Sequence, residues 1–107
     1  MNKDYKDIKG KAPMEMIEPI ALKTLGEVLK YGLDKYGWEN GTSYQYGEIK
    51  TYVGALLRHL VAYQSGEEID PESGISHLKH LFFNAYALIY LENLGKKYNN
   101  EIKKENE

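Results

Sequence analysis

The sequence predicts an all-α fold, a small antiparallel bundle of three main helices. Apolar residues recur every three or four positions over three segments of about 18 residues each, which is the helical period. No segment alternates apolar and polar residues as a half-buried strand would. A chain of 107 residues fits one domain with one core. Because three helices of this length bury little apolar surface, we expect oligomerisation to complete the bundle.

The first helix is predicted to begin near Pro19, since proline suits the first turn of a helix. Its apolar seam is spaced by three and four residues and consists of Leu22, Leu25, Leu29, Gly32 and Tyr36. Gly37 is predicted to end it. Residues 37–47 contain three glycines and few aliphatic side chains, which indicates a surface loop.

The second and third helices are predicted over about residues 48–65 and 76–94. Ser65 and Gly66 end the second helix, and Pro71 excludes one continuous helix. Ser76 is a typical N-cap for the third helix, and Gly95 lies just past its end. We therefore expect a folded domain at 13–95, between a flexible arm at 1–12 and a polar tail at 96–107.

The composition excludes several classes of function. A net charge of −2 gives no basic footprint, so duplex nucleic acid is not an expected partner. The sequence has no cysteine, which excludes disulfides, thiolate metal sites and cysteine nucleophiles and fits a reducing cytoplasm. No apolar run approaches the roughly 20 residues that cross a bilayer, and no signal peptide is recognised.

A polar stripe on the third helix is the first candidate for chemistry. At about 100° per residue, His77, His80 and Asn84 share one stripe beside the apolar face. His59 lies at the interior edge of the second helix and would face this stripe if the two helices are antiparallel. The connecting loop adds Glu67, Glu68, Asp70 and Glu72. Such donors suit a divalent cation: Mg²⁺ prefers the carboxylates, and Mn²⁺ tolerates histidines better.

The same residues also permit structural interpretations. Acids in a loop are usually solvated, and His59 and His80 could be interior histidines with one hydrogen bond each. Asn84 could join two helices through its amide. Trp38, in the loop, could stack on a base or pack on the rim, and Lys35 could contact phosphate or belong to a solvated face. Spacing alone leaves these alternatives open.

The order of several motifs resembles a known family. They are YG-x-x-KYG at 31–37, Arg58-His59-Leu60, Gly66-Glu67, Asp70-x-Glu72-x-Gly74 and His77-x-x-His80-x-x-x-Asn84. Together, over about residues 13–93, they resemble the phage-associated dATP/dGTP diphosphohydrolase N-terminal family. That family is related to the all-α nucleoside triphosphate pyrophosphatases of the MazG type.

The resemblance implies a helical homodimer or homotetramer that uses Mg²⁺, with Mn²⁺ as the alternative, to cleave dATP or dGTP to dNMP and pyrophosphate. It would act in the cytoplasm of a bacterial or phage-infected host. The implied catalytic residues are Glu67, Asp70, Glu72 and Arg58. The implied metal ligands are Asp70, Glu72, His77, His59 and His80. The implied substrate contacts are Lys35, Tyr36, Trp38, Asn84 and Arg58.

Two departures from the related patterns bear on these roles. The MazG metal pattern is Glu-Glu-x-x-Glu on one helix and Glu-x-x-Asp on the next, whereas this chain has Arg58-His59 and His77-x-x-His80. The family places Asn-Trp after KYG, whereas here Trp38 comes first. The alternative hypothesis is a non-catalytic helical binding or assembly module of a phage that uses its tyrosine-rich surface to bind protein or nucleotide.

Overall fold

The computed structural model of the chain describes residues 10–40 and 43–98, in which three α-helices dominate. They are α1 at Ile20–Tyr36, α2 at Ile49–Gln64 and α3 at His77–Asn93. The described ranges contain no strand, only an isolated antiparallel bridge between Ile69 and Ser76. The predicted all-α class is thus confirmed. The predicted arm at 1–12 and tail at 96–107 lie mostly outside the described residues.

A proline and a glycine mark the two ends of α1, as predicted. Pro19 occupies the N-cap position, and α1 stops where Gly37 adopts a φ of 100° and donates its N–H to the carbonyl of Leu33 at 2.8 Å. Positive φ at this value favours glycine. The loop that follows contains two single turns of 3₁₀-helix, at Trp38–Asn40 and Ser43–Tyr46. Single turns have no apolar period, so the sequence pattern missed them.

The helical hairpin formed by α2 and α3 is the main packing unit of the described chain. Gly66, with a φ of 101°, follows α2, and Ser76 Oγ caps α3 by accepting a 3.2 Å hydrogen bond from the N–H of Leu78. Both helix boundaries agree with the prediction to within a residue or two. The buried apolar side chains are Val28, Tyr44, Ile49, Ile75, Ala87 and Leu91.

The buried face of α1 differs from the predicted seam. Thr24 and Val28 are its buried residues, whereas Leu22 is 76% exposed and Tyr36 is 60% exposed. The physical reason is that α1 packs on α3 and makes few contacts with α2. A salt bridge of 2.9 Å between Lys79 Nζ and Glu27 Oε1 links α1 and α3 at their exposed edge. Leu22 therefore faces solvent in the single chain, whereas Leu25, Leu29 and Gly32 of the predicted seam are half-buried.

Within the described ranges, no helix is both long enough and apolar enough to cross a lipid bilayer.

Candidate functional site

A cavity of about 510 Å³ lies among α1, α2, α3 and the loop between α2 and α3. It is lined by nine of the eleven predicted site residues, so the sequence motifs converge on one place. These nine are Lys35, Tyr36, Arg58, His59, Asp70, Glu72, His77, His80 and Asn84. Glu67 and Trp38 are not part of the lining.

The loop between α2 and α3 is a tight turn built from its own hydrogen bonds. The backbone N–H of Asp70 donates to the carbonyl of Ile75 at 2.9 Å, and the N–H of Gly74 donates to the carbonyl of Asp70 at 2.8 Å. Gly74 has a φ of 73°, which a side chain would oppose. Ser73 Oγ donates to Asp70 Oδ2 at 2.8 Å. The turn therefore fixes the position of the Asp70 carboxylate.

His80 joins this turn to α3. Its ring is buried, with Nε2 at 2.6 Å from Ser73 Oγ and 3.5 Å from Asp70 Oδ2. Because the Ser73 proton is committed to Asp70, His80 Nε2 carries the hydrogen and donates to Ser73 Oγ. Burial lowers the pKa of His80 against the attraction of Asp70. The neutral form of this imidazole is therefore favoured.

The carboxyl group of Asp70 stays ionised although it is largely buried. Burial by itself raises its pKa, but the hydrogen bonds from the Ser73 hydroxyl and the Glu72 N–H, together with nearby His80, hold the pKa below its ordinary value. Asp70 thus supplies negative charge to the cavity wall at neutral pH.

His59 and His77 form a second polar chain across the α2–α3 interface. Their Nδ1 atoms are 2.8 Å apart, and His77 Nε2 lies 2.8 Å from Glu67 Oε1. The His59 ring also stacks on the His80 ring, with centroids 4.5 Å apart and planes at 7°. Burial, followed by the neighbouring His80 and His77, lowers the pKa of His59. Glu67 does not line the cavity, but it is connected to the cavity wall by its hydrogen bond with His77.

The wall formed by α1 contributes a positively charged side chain, Lys35. Lys35 Nζ lies 2.6 Å from Glu72 Oε1, 5.3 Å from the Tyr36 ring centroid and 5.8 Å from that of Tyr31. The hydrogen bond with Glu72 raises the pKa of Lys35, and the same bond lowers the pKa of Glu72. Both groups are exposed at the rim, where an anionic ligand could exchange for the carboxylate.

Asn84 and Arg58 have unused hydrogen-bonding capacity inside the cavity. Asn84 is 7% exposed, and Nδ2 donates to the His80 carbonyl at 2.8 Å. In the described part of the chain its Oδ1 has no partner, although an amide can form several hydrogen bonds. Arg58 forms no ion pair with an acid of the described ranges, so its guanidinium donors remain available.

Trp38 lies apart from this group. Its indole Nε1 donates to Asp34 Oδ1 at 2.8 Å, and the side chain is 61% exposed. Since it does not line the cavity, the contact between Trp38 and a base stays a prediction.

The sequence predicts a metal ion at this site, and the arrangement of the possible ligand atoms bears on that prediction. Among residues 10–40 and 43–98, no three His, Asp or Glu side chains converge as ligands for one ion. Both ring nitrogens of His77 already have hydrogen-bond partners. However, a magnesium–nucleotide complex usually takes only one or two protein carboxylates together with phosphate oxygens. Asp70 and Glu72 suit that arrangement, and the five-residue ligand set stays a prediction.

Several residues of the site were missed by the sequence analysis. Ser73 links Asp70 to His80, and its spacing of three from Asp70 is a turn pattern that could have indicated this bond. Tyr31 meets the His80 ring edge-on, with centroids 5.9 Å apart. The missed lining residues also include the aromatic side chains of Tyr44, Tyr52 and Phe83. Their positions depend on helix packing, for which no local signal exists.

Comparison with known proteins gives the family. The family model described as dATP/dGTP diphosphohydrolase, N-terminal, matches residues 1–101. The chain belongs to this family. It is also 29% identical over 85 residues to a dATP/dGTP diphosphohydrolase of Salmonella phage PMBT28. That alignment covers 79% of this chain but only 28% of the relative.

The predicted family is confirmed by this match, and its more distant link to MazG stays a prediction. No solved structure matches the chain.

Proposed function

We propose that this chain hydrolyses a purine dNTP, dATP or dGTP, between the α- and β-phosphates to give dNMP and pyrophosphate. The observation that carries the proposal is one cavity of about 510 Å³ with both cationic and carboxylate side chains on its walls, in a member of this family. Cavities of roughly 300–1,000 Å³ are typical of small-molecule sites. The name of the phage relative supports the substrate class.

Phosphate binding would fall to Lys35 and Arg58. They come from α1 and α2, so a triphosphate between them would bridge two helices that otherwise make few contacts. The planar guanidinium of Arg58 suits bidentate phosphate recognition, and Lys35 would leave Glu72 for the more highly charged ligand. Tyr36 and Asn84 would contact the sugar and base from the cavity lining, and we keep Trp38 as a rim contact.

The cation would be Mg²⁺, with Mn²⁺ as the alternative, held by Asp70 and Glu72. When bound, such an ion neutralises triphosphate charge and polarises the phosphoryl group that is attacked. The chain's own part is to hold the triphosphate against Lys35 and Arg58 and to keep Asp70 ionised. It also places the carboxylates of Asp70 and Glu72 beside the phosphates, with Glu67 behind His77. Positioning and electrostatics of this kind supply most of the rate enhancement in phosphoryl transfer.

We also propose that the active protein is a homodimer or homotetramer, in the cytoplasm of a bacterial or phage-infected host. The supporting observation is the exposed apolar surface, which includes Ile20 and Leu22 of α1 and Leu57 and Val61 of α2. Patches of this kind often mark association sites. Analytical ultracentrifugation checks the assembly. Leu22→Glu should shift the sedimentation towards the single chain, while Leu22→Met should leave the assembly intact.

A nucleotide screen tests the enzymatic proposal. The purified chain is incubated with each of the four dNTPs and the four NTPs, in Mg²⁺ or in Mn²⁺, and the products are separated by ion-exchange chromatography. We expect dAMP or dGMP together with pyrophosphate in equal amounts. Release of orthophosphate would instead indicate cleavage at another phosphate bond, and no product from any nucleotide would favour the non-catalytic binding module.

A further inference from the structure

The hydrogen bonds of Glu67, His77 and His59 form an ordered chain of three groups. His77 is 4% exposed and makes both of its ring contacts at 2.8 Å, one to the Glu67 carboxylate and one to His59 Nδ1. Glu67 lies outside the cavity lining, whereas His59 and His77 lie in it. A carboxylate is an acceptor only, so this chain has a direction.

The direction follows from counting hydrogens on two imidazole rings that carry one N–H each. His77 Nε2 must carry the hydrogen that the Glu67 carboxylate accepts. A neutral imidazole has one N–H, so His77 Nδ1 is left as an acceptor. The contact of 2.8 Å between the two Nδ1 atoms then requires that His59 Nδ1 is the donor. Consequently His59 Nε2 keeps its lone pair, and within residues 10–40 and 43–98 this atom has no hydrogen-bond partner.

We propose that Glu67 is a positioning residue which acts through His77 to fix the tautomer of His59, so that His59 Nε2 accepts a hydrogen bond from the attacking water. This inference rests on the proposed function for the identity of the water. It also assigns the Nε2 lone pair to water rather than to the cation. Glu67 itself touches neither substrate nor water.

The surroundings of His59 hold its ring in one orientation. One face stacks on the buried His80 ring at a centroid distance of 4.5 Å, and His80 is tied to Ser73 and Asp70. Flipping the His59 ring would break its bond with His77. Stacking on His80 holds the plane of the ring, and the contact with His77 selects which edge of the ring faces α3. Removing Glu67 leaves both neighbours in place and frees His77 Nε2 from having to carry the hydrogen.

The tautomer can be measured directly by NMR. Long-range ¹H–¹⁵N spectra distinguish protonated from unprotonated ring nitrogens, and the three histidines of the chain are assigned by single His→Gln variants. We expect His59 to carry its hydrogen on Nδ1 in the wild type and in Glu67→Gln, because the amide oxygen still accepts from His77. Glu67→Ala should give a mixture of His59 tautomers. Titration with Mg²⁺ should leave the Nε2 shift of His59 unchanged.

Kinetics on the same variants tests the consequence. Glu67→Ala should lower kcat by roughly 10- to 100-fold with little change in KM, less than the roughly 10²- to 10⁴-fold contribution of a group that itself transfers the proton. Glu67→Gln should restore most of kcat. Glu68→Ala is the matched control, because it removes the neighbouring acid while its backbone carbonyl still accepts from His77.

Three results would overturn the proposal: a wild-type His59 protonated on Nε2, a coordination shift of Nε2 with Mg²⁺, or equal losses of kcat in Glu67→Ala and Glu68→Ala. The melting temperature of each variant shows whether a loss of kcat comes from misfolding instead. Because the NMR readout needs no turnover, an inactive protein with the expected tautomers would contradict the proposed function and leave the tautomer assignment standing.

Discussion

The two sides of the cavity are built in different ways. On the side of α2 and α3, the turn at 66–76 and three histidines are joined by hydrogen bonds of 2.6–2.8 Å among residues close in sequence or on packed helices. On the side of α1, which packs on α3 through Thr24 and Val28, the charged contacts are two exposed ion pairs, Lys35–Glu72 and Lys79–Glu27. The first side is preformed, and the second depends on long, flexible side chains.

This difference indicates a division of tasks. Groups that need accurate placement, such as Asp70 and His59, belong to the rigid side, where several contacts determine each position. Lys35 only has to supply charge, which tolerates movement because electrostatic attraction depends weakly on orientation.

The largest effect is expected at the rigid side. Asp70→Asn keeps the size of the side chain and an oxygen that can accept from Ser73, but it removes the charge. We expect kcat/KM for the preferred dNTP to fall roughly 10²- to 10⁴-fold, since a group close to the chemistry contributes on that scale. Pyrophosphate release measures the loss.

Glu68→Ala is the control for Asp70→Asn, because it also removes one negative charge from the same loop. A melting temperature of Asp70→Asn near that of the wild type would attribute the loss to the missing charge. If both variants kept full activity, the rigid side would not be the catalytic one.

A smaller effect is expected on α1. Lys35→Ala removes one charge-assisted contact to phosphate, so we expect KM to rise roughly 10- to 100-fold with a smaller change in kcat. Lys30→Ala is the matched control, because Lys30 sits on the same helix but pairs with Asp34 at 2.7 Å outside the cavity. Initial rates over a range of dNTP concentrations separate KM from kcat. An unchanged KM in Lys35→Ala would contradict the phosphate role.

The same contrast explains what could be predicted from sequence. The helices, the Ser76 cap and the stripe of His77, His80 and Asn84 follow from local spacing, and the structure places this stripe in the cavity. The buried side of α1 could not be predicted, because its packing on α3 buries the polar Thr24 and leaves the apolar Leu22 exposed. The direct contact of His59 with His77 depends on the register between two helices, which no local pattern specifies.

The buried histidines predict a dependence of stability on pH. The folded-state pKa of His80 is lowered by burial, so between that value and the ordinary value near 6.5 the unfolded chain binds more protons. The stabilisation is complete above about pH 6.5 and is lost as the pH falls towards the lowered pKa, with a slope of at most about 1.4 kcal/mol per pH unit. Urea unfolding at several pH values measures it.

His80→Gln should make this pH profile flatter, because the titrating ring is gone while an amide can still donate to Ser73. If the variant and the wild type had the same slope between pH 5 and 7, the dependence would come from other groups, with His59 as the next to test, since its pKa is also lowered.

The smallest effect is expected at Gly54, where one substitution changes both the stability of α2 and the position of Arg58. A Cβ atom built there would lie 3.1 Å from Arg58 Nη1, the far end of a flexible side chain, and would meet no other group closer than the rest of that guanidinium. Gly54→Ala should stabilise α2 by about 0.5–1 kcal/mol, since glycine weakens a helix interior by that amount. By displacing Arg58 it should also raise KM a few-fold. Gly26→Ala, with nothing within 4 Å of its Cβ, should give the stabilisation alone. A Gly54→Ala protein with higher stability and an unchanged KM would show that phosphate binding tolerates a displaced Arg58. Accurate side-chain positions would then matter only in the turn between α2 and α3.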